Sequence, residues 1–198
     1  MASSAALVKE LRGKTGAGIL DCQKALQENN NDIEKAIDHL RQKGLAAAQK
    51  KVGRETKEGL IFAYIHPGSK IGVMLEINCE TDFVARNEEF SALSKDLTLQ
   101  IAAANPNYVK REDVPEDIIA REKSVYEGQA KEMGKPEAAW DKIVQGKLEK
   151  FYQEQCLLEQ AFVKDPNTSI KELLTQKISK LGENILVTRF TRYQLGQE

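Results

Sequence analysis

Residues 58–79 read EGLIFAYIHPGSKIGVMLEINC, and this stretch decides the fold class. Aliphatic, aromatic and β-branched side chains dominate residues 58–65, which is typical of a β-strand. Residues 71–79 alternate apolar and more polar side chains with the period of two that a half-buried strand requires. The tetrapeptide HPGS at 66–69 has the composition of a tight turn. The stretch therefore predicts an antiparallel hairpin.

Outward from the hairpin, a third alternating run occurs at residues 185–195, ILVTRFTRYQL, and is expected to complete a small antiparallel sheet. Between the hairpin and this strand, apolar side chains recur at helical spacing. Two of these helices, near 115–156, are separated by a break at 134–136 and predict a helical hairpin. The last helix begins after Ser169, whose spacing to Glu172 matches a capping box.

The segment before the hairpin predicts a separate helical module. Residues 1–44 contain three short runs with apolar side chains at spacings of three and four, and Gly44 is expected to end the third helix. Residues 45–57 are mixed and mostly basic, and we interpret them as a linker. Residues 58–198 are then a core domain in which helices cover the sheet. The predicted fold class is α+β.

Composition limits the classes of partner. Hydrophobic residues make up 41% and charged residues 30% of 198 residues, which is typical of a globular protein. Because 29 basic and 30 acidic residues give a formal net charge of -1, binding of a polyanion by bulk charge is not expected. No window approaches the roughly 18 apolar residues of a membrane-spanning helix. We therefore expect neither nucleic acid nor membrane as a direct partner.

No motif predicts covalent catalysis, a metal site or a cofactor. The tripeptide GKT at 13–15 imitates the end of a phosphate-binding loop, but the first glycine of that motif is missing and a helix precedes it. The two histidines, His39 and His66, have no neighbouring nucleophile signature. The three cysteines are far apart and are expected to be buried, reduced thiols: Cys22, Cys79 and Cys156. These observations favour a protein that acts by contact with another protein.

Two longer motifs resemble those of a known family. Residues 14–26, KTGAGILDCQKAL, resemble the N-terminal signature of elongation factor Ts, and residues 78–87, NCETDFVARN, resemble its second signature. The spacing of the motifs and the ending RFTRY at 189–193 also resemble that family, so the resemblance covers essentially the whole chain. Many members carry a second, related core subdomain, for which this chain has no room. The chain therefore resembles the short form of the family.

The resemblance implies a guanine nucleotide exchange factor of protein biosynthesis. Such a factor binds the GDP form of elongation factor Tu, a GTPase, and promotes GDP release so that GTP can bind, without covalent chemistry of its own. Its N-terminal bundle is of a ubiquitin-associated-like type and binds the GTPase domain. The implied location is the bacterial cytoplasm or an organellar matrix or stroma.

The resemblance also implies two sets of site residues. Binding of the partner by the N-terminal module would involve Lys9, Leu11, Arg12, Thr15, Gly16, Ala17, Gly18 and Ile19. Disturbance of the partner's magnesium site would involve Thr81, Asp82, Phe83 and Val84. In the family, Phe83 would wedge between partner helices and Asp82 would help to rearrange the groups around the ion.

The residues alone support a different interpretation of the second motif. Thr81 or Asp82 can cap a helix that begins near Val84, and Phe83 can fold back into the core. Pattern alone favours this interpretation over contact with a partner, whereas the resemblance favours the contact. Capping by Asp82 in the free protein is compatible with its reaching a partner in the complex.

Two further hypotheses concern other partners. The N-terminal module, together with the basic stretch at 50–54, would bind nucleic acid or a ubiquitin-like protein without exchange activity. In a short form, a homodimer would supply the surface of the missing subdomain, through the sheet edge around residues 185–195 or through the helical hairpin.

Overall fold

The computed structural model describes residues 4–134 and 136–197; Met1–Ser3, Lys135 and Glu198 lie outside them. Lys135 belongs to the predicted break at 134–136, so that part of the break is not described. The described residues contain the helices α1 (Ser4–Thr15), α2 (Ile19–Glu28), α3 (Ile33–Gln49), α4 (Asp82–Ala85), α5 (Glu88–Ala104), α6 (Glu116–Glu132), α7 (Trp140–Gln155) and α8 (Ile170–Leu181). They contain the strands β1 (Glu58–Ile65), β2 (Ile71–Cys79), β3 (Ala161–Phe162), β4 (Asp165–Ser169) and β5 (Ile185–Gln194). The predicted α+β class is confirmed.

The chain divides into two compact units, each assembled from separate segments. The first, which we call the helical unit, comprises Met1–Gly59, Cys79–Phe90 and Leu174–Leu186. The second, which we call the sheet unit, comprises Leu60–Asn78, Ser91–Leu173 and Val187–Glu198. This division does not test the predicted linker at 45–57 or the domain limits 1–44 and 58–198, which stay predictions.

The three predicted strands form one sheet in the order β1-β2-β5, so the hairpin and its distant third strand are confirmed. Side chains of β2 and β5 fix the antiparallel register. The Thr188 hydroxyl donates to Asn78 Oδ1 at 2.5 Å, and Arg189 Nε donates to Glu76 Oε2 at 2.6 Å. Since Glu76 and Asn78 lie on one face of β2, two consecutive residues of β5 reach that same face. Position 188 faces position 78 and position 189 faces position 76, so the two strands run in opposite directions.

The core of the sheet unit lies on one face of the sheet. The large buried apolar side chains of β2 and α5 in this unit are Val73, Leu75, Ile77, Leu93, Leu97 and Ile101. The guanidinium of Arg192 donates to the carbonyl oxygen of Ala102 at 3.3 Å, which ties β5 to α5. Alternation of buried and exposed residues along β2 follows from this one-sided cover.

Two local predictions in the sheet unit are confirmed, and one pair of strands was missed. The helical hairpin is formed by α6 and α7. The capping box is present, because the Ser169 N–H donates to Glu172 Oε2 at 2.9 Å and the Ser169 hydroxyl accepts the Glu172 N–H at 3.2 Å. The missed strands β3 and β4 pair antiparallel. Their second strand reads DPNTS, and Asp, Pro and Asn are residues that strands normally lack.

The N-terminal part of the helical unit is a three-helix bundle, as predicted. Its buried core consists of Val8, Leu11, Cys22, Ala25, Leu26 and Ala36. The expected end of α3 at Gly44 is wrong, because the helix continues to Gln49. One glycine costs a helix only about 1 kcal/mol, and the following Leu-Ala-Ala-Ala-Gln stretch has strong helix propensity.

Candidate functional site

The second sequence motif forms a tight turn, residues 80–86, which we call the Phe83 turn. β2 ends at Cys79, and Thr81 has the extended conformation of an N-cap, with φ -128° and ψ 154°. Its side-chain oxygen accepts the N–H of Val84 at 3.4 Å and starts the one-turn helix α4. The interpretation of Thr81 as a cap is therefore confirmed.

The short helix separates its residues into an inner and an outer pair. Val84 is 4% and Ala85 7% exposed, and these side chains anchor α4. Phe83 is 78% exposed, so the interpretation that its ring folds back into the core is wrong. Burial of Phe83 would require α4 to rotate about its axis, and that rotation would expose Val84. An aromatic ring that faces solvent on an ordered turn is typical of a contact surface.

Asp82 lies next to Phe83 and makes an exposed ion pair. Its Oδ2 lies 3.0 Å from Nη2 of Arg86, one helical turn later. The side chains of Asp82 and Arg86 are 60% and 81% exposed, so the pair is worth only about 0.3–0.5 kcal/mol. Such a pair opens at little cost when another cation competes for the carboxylate.

The base of the turn is held by a carboxylate that the sequence analysis missed. Glu183 Oε2 accepts the N–H of Glu80 at 3.1 Å and the N–H of Thr81 at 3.0 Å. Glu183 Oε1 accepts the Thr81 hydroxyl at 2.6 Å. In the opposite direction, Glu80 Oε1 accepts the N–H of Asn184 at 2.6 Å. We call these four hydrogen bonds the Glu183 brace.

The buried thiol of Cys79 supports the same turn. Its Sγ donates to the carbonyl oxygen of Thr81 at 3.2 Å. Burial, and next the negative charge of Glu183, raise the pKa of the Cys79 thiol to about 11. The thiol is therefore protonated at neutral pH and able to donate this hydrogen bond, and the prediction of a buried, reduced cysteine is confirmed.

The first sequence motif contains the connection between α1 and α2, residues 15–18, which we call the Gly16 loop. The Thr15 hydroxyl donates to the Leu11 carbonyl at 2.7 Å and accepts the Ala17 N–H at 3.3 Å. Gly16 has φ +65°, a left-handed conformation that glycine adopts without strain. Gly18 is the N-cap position of α2, and its carbonyl accepts the N–H of Cys22 at 2.9 Å.

Exposure divides the residues that the resemblance assigned to partner binding. The exposed ones are Lys9, Arg12, Gly16, Gly18 and Ile19, and Thr15 and Ala17 are half-buried. Leu11 is completely buried in the bundle core, so its contribution is to support the helix that carries its neighbours. Leu20, which was not predicted, is 72% exposed beside Ile19 at 51%. Two adjacent apolar residues at a helix start were the signal for it.

The Gly16 loop and the Phe83 turn both belong to the helical unit. A Cβ built on Gly16 lies 3.9 Å from Lys180 Nζ, which donates to Glu89 Oε1 at 2.7 Å. Lys177 Nζ donates to Glu89 Oε2 at 2.6 Å, and these two lysines lower the pKa of Glu89 to about 2. Glu89 lies in the first turn of α5, directly after the Phe83 turn. Lys180 therefore lies between the loop and the helix that follows the turn.

The groups that this site presents to solvent are those of a contact surface. Its outward groups are an aromatic ring, a carboxylate and two aliphatic side chains: Phe83, Asp82, Ile19 and Leu20. Across residues 4–134 and 136–197, no group of three or more His, Cys, Asp or Glu side chains is placed to hold a metal ion. No helix in those residues is long and apolar enough to cross a membrane.

Comparison with known proteins gives one consistent family. The family model described as "Elongation factor TS" matches residues 19–197. The chain is 60% identical over 197 residues to elongation factor Ts of Thermodesulfovibrio yellowstonii, covering 100% of this chain and 98% of that protein. It is 56% identical over 191 residues to that of Carboxydothermus hydrogenoformans, covering 96% and 88%. It is 55% identical over 197 residues to that of Geobacter sulfurreducens, covering 100% and 91%.

These matches define the class of the protein: a nucleotide exchange factor of translation elongation. Both the family model and the relatives extend over nearly all of the chain, including the Phe83 turn. The chain belongs to the elongation factor Ts family.

Proposed function

We propose that the chain binds the GDP form of elongation factor Tu and accelerates GDP release, with the Phe83 turn acting at the partner's magnesium and phosphate site. The observation that carries this proposal is the exposed ring of Phe83 on a hydrogen-bonded turn, in a chain of this family. An exchange factor of this kind makes and breaks no covalent bond. Its work is to bind the nucleotide-free partner more tightly than the GDP-bound partner.

Phe83 supplies free energy for that preference. Burial of a phenylalanine side chain is worth about 1.5–3 kcal/mol, and every 1.4 kcal/mol is a factor of ten in an equilibrium constant. If the ring finds its pocket only in the nucleotide-free partner, it favours that form by roughly ten- to a hundredfold. Because linkage is reciprocal, GDP loses affinity for the partner by the same factor.

Asp82 contributes an electrostatic effect beside the ring. A GTPase holds its nucleotide through Mg²⁺, which bridges phosphate oxygens. A carboxylate brought near the ion's ligands changes their hydrogen bonds and orientation, which weakens the metal site. The exposed pair of Asp82 with Arg86 leaves the carboxylate available for this role.

The Gly16 loop and the start of α2 dock the factor on the partner. Ile19 and Leu20 of α2 are exposed apolar side chains, and Lys9 and Arg12 of α1 are exposed basic side chains. Apolar residues with a polar rim are the usual composition of a protein interface. Leu11 and Ala17 support the loop from the core side.

Release of labelled GDP from elongation factor Tu tests the activity. Substoichiometric amounts of the chain should accelerate release over many turnovers. A chain that leaves the release rate unchanged would contradict the proposal. The alternative, a nucleic-acid-binding module, predicts binding to RNA or DNA without the GTPase, which weakens steeply as salt rises.

Phe83→Ala and Asp82→Ala test the site. Phe83→Ala should slow GDP release about tenfold or more, because it removes a buried aromatic anchor from the complex. Asp82→Ala should slow it less, by about threefold, since an exposed carboxylate is the weaker contributor. Both variants should keep the wild-type circular dichroism spectrum. Unchanged release rates would remove these two residues from the mechanism.

We also propose a homodimer that pairs through β5. β5 is an edge strand of the three-stranded sheet, and Tyr193 and Leu195 near its end are 68% and 76% exposed. Exposed edges and apolar side chains favour strand pairing. Light scattering between about 1 and 100 µM should give the mass of two chains, and Tyr193→Lys should shift it to one. A wild-type mass of one chain throughout would contradict the dimer.

The proposed place of action is the cytoplasm of a bacterium, or the matrix or stroma of an organelle. The relatives named above come from bacteria, and protein synthesis takes place in these compartments.

A further inference from the structure

Glu183 reaches the Phe83 turn from a distant part of the chain. It lies between α8 and β5, 102 residues after Thr81. Its carboxylate accepts two backbone N–H groups and one hydroxyl, all from Glu80 and Thr81. Hydrogen bonds to an ionised acceptor are about twice as strong as neutral ones.

The hydroxyl of Thr81 connects the brace to the helix that carries Phe83. Its single proton is donated to Glu183 Oε1, so its lone pairs are free to accept the N–H of Val84. Without the carboxylate, that proton has no fixed acceptor, and the hydroxyl rotates among several directions. The N-cap of α4 then loses its defined geometry.

The segment that carries Glu183 is itself fixed within the helical unit. Lys51 Nζ donates to the carbonyl of Gly182, and Asn184 Nδ2 donates to the carbonyl of Arg54 at 2.9 Å. Asn184 is 2% exposed. Because this segment is fixed independently of the turn, the Glu183 carboxylate determines the position of the turn.

The exposed face of the turn has no comparable support. The ring of Phe83 is 78% exposed, and the only ion pair on that face is the exposed one between Asp82 and Arg86, among the residues that the structure describes. The direction of the ring is therefore determined from below, by buried Val84 and Ala85 and by the Glu183 brace.

We infer that Glu183 is a positioning residue for nucleotide exchange: it orients Phe83 through Thr81 and does not itself touch the partner. This inference rests on the proposed function of the Phe83 turn. It assigns a role to a residue outside both sequence motifs. If it holds, removal of Glu183 has no effect once the ring of Phe83 is gone.

A double-mutant cycle in GDP release from elongation factor Tu tests this dependence. The variants are Glu183→Ala, Phe83→Ala and the two combined. We expect Glu183→Ala to lower the maximal release rate about fivefold in the presence of Phe83 and to have no further effect in Phe83→Ala. A variant that merely lost folded protein would lower both rates by the same factor, so the cycle separates positioning from loss of structure.

Glu183→Gln keeps the test valid if Glu183→Ala fails to fold. The carboxamide keeps one acceptor oxygen and the same shape, and a smaller loss of about twofold, again absent in Phe83→Ala, is expected. Glu172→Ala is the matched control, because Glu172 also accepts a backbone N–H and a hydroxyl, from Ser169, in the sheet unit. It should leave the exchange rate of folded protein unchanged.

Each outcome separates this inference from the proposed function. If wild type does not accelerate GDP release, or if Phe83→Ala releases GDP as fast as wild type, the proposed role of the turn itself is wrong. If Phe83→Ala is slow while Glu183→Ala and Glu183→Gln match wild type, the turn keeps its role and the inference is overturned. Equal losses from Glu183→Ala with and without Phe83 would overturn it as well.

Discussion

The Phe83 turn and the Gly16 loop both expose apolar side chains from the helical unit, but they are held in different ways. The Gly16 loop is fixed by near neighbours, because the Thr15 hydroxyl forms hydrogen bonds with the backbone of Leu11 and Ala17. The Phe83 turn is fixed by Glu183, more than 100 residues away in sequence. A contact point can therefore be local in sequence yet depend on a distant residue for its geometry.

The two regions also have different proposed tasks. We propose docking for the loop and nucleotide release for the turn, which are distinguishable in kinetics. Changes in the loop should alter the concentration of elongation factor Tu that gives half-maximal exchange. Changes in the turn should alter the maximal rate.

The largest effect should come from Ile19→Asp. A charge in place of an exposed apolar contact should raise the half-saturating concentration more than about tenfold, with the maximal rate retained. Asp is tolerated at the first position of α2, because helix N-termini favour negative charge. Val52→Asp is the matched control, since Val52 is also an exposed apolar residue of the helical unit. Equal effects of both variants would contradict the docking role.

A second, smaller effect concerns Thr81. Thr81→Val keeps the shape of the side chain but removes the hydroxyl that donates to Glu183 and caps α4. It should lower the free energy of unfolding by about 1–2 kcal/mol. It should also lower the maximal exchange rate about fivefold. Thr81→Ser should retain most of the unfolding free energy and most of the maximal exchange rate. Thr15→Val, the corresponding change in the Gly16 loop, should affect half-saturation instead. Urea unfolding measures the free energy, and exchange kinetics measure the maximal rate. If Thr81→Val instead raised the half-saturating concentration of elongation factor Tu, the turn would have the docking role that we assign to the loop.

Acid should weaken the attachment of α8 to the start of α5. Lys177 and Lys180 lower the pKa of Glu89 from 4.5 to about 2. Because the folded-state pKa is depressed, this stabilisation is present above about pH 4.5 and is lost as the pH falls through about 2. The stability difference between wild type and Glu89→Gln should therefore shrink on acidification below about pH 4.5. A difference that stays constant down to about pH 3 would contradict the ion pair.

The smallest effects should come from two glycines with opposite signs. A Cβ at Gly44 would lie 3.4 Å from Ser179 Oγ, an ordinary contact, so Gly44→Ala should stabilise the protein by about 0.5–1 kcal/mol through helix propensity. Gly16 has a positive φ, so Gly16→Ala should destabilise it by about 1–2 kcal/mol. Thermal unfolding measures both, and equal signs would show that backbone conformation does not decide the outcome.

The sequence predicted the elements whose pattern is local. β1 begins and ends at the residues expected from its composition, and β2 at those expected from its alternation. The capping box of α8 follows from a three-residue spacing. The strands β3 and β4 were missed, because they are short and rich in residues that disfavour strands. The end of α3 was misplaced, because a single glycine was read as a stop although the sequence after it favours a helix.

The candidate site was only partly predictable. Pattern alone placed Phe83 in the core, and the resemblance placed it on the surface, where the structure has it. The capping role of Thr81 followed from its position before α4. The Glu183 brace could not be predicted, because no spacing rule connects residues 80 and 81 to a carboxylate beyond position 180. Long-range hydrogen bonds of this kind become visible only when the chain is folded.

The exposed ring on a fixed turn has a thermodynamic consequence for recognition. The conformational entropy of ordering residues 80–86 is lost when the chain folds, so it is not lost again when the partner is met. Binding through this turn should then proceed as rigid-body docking. The heat-capacity change of binding should reflect the surface buried at the interface, with little contribution from folding of the turn.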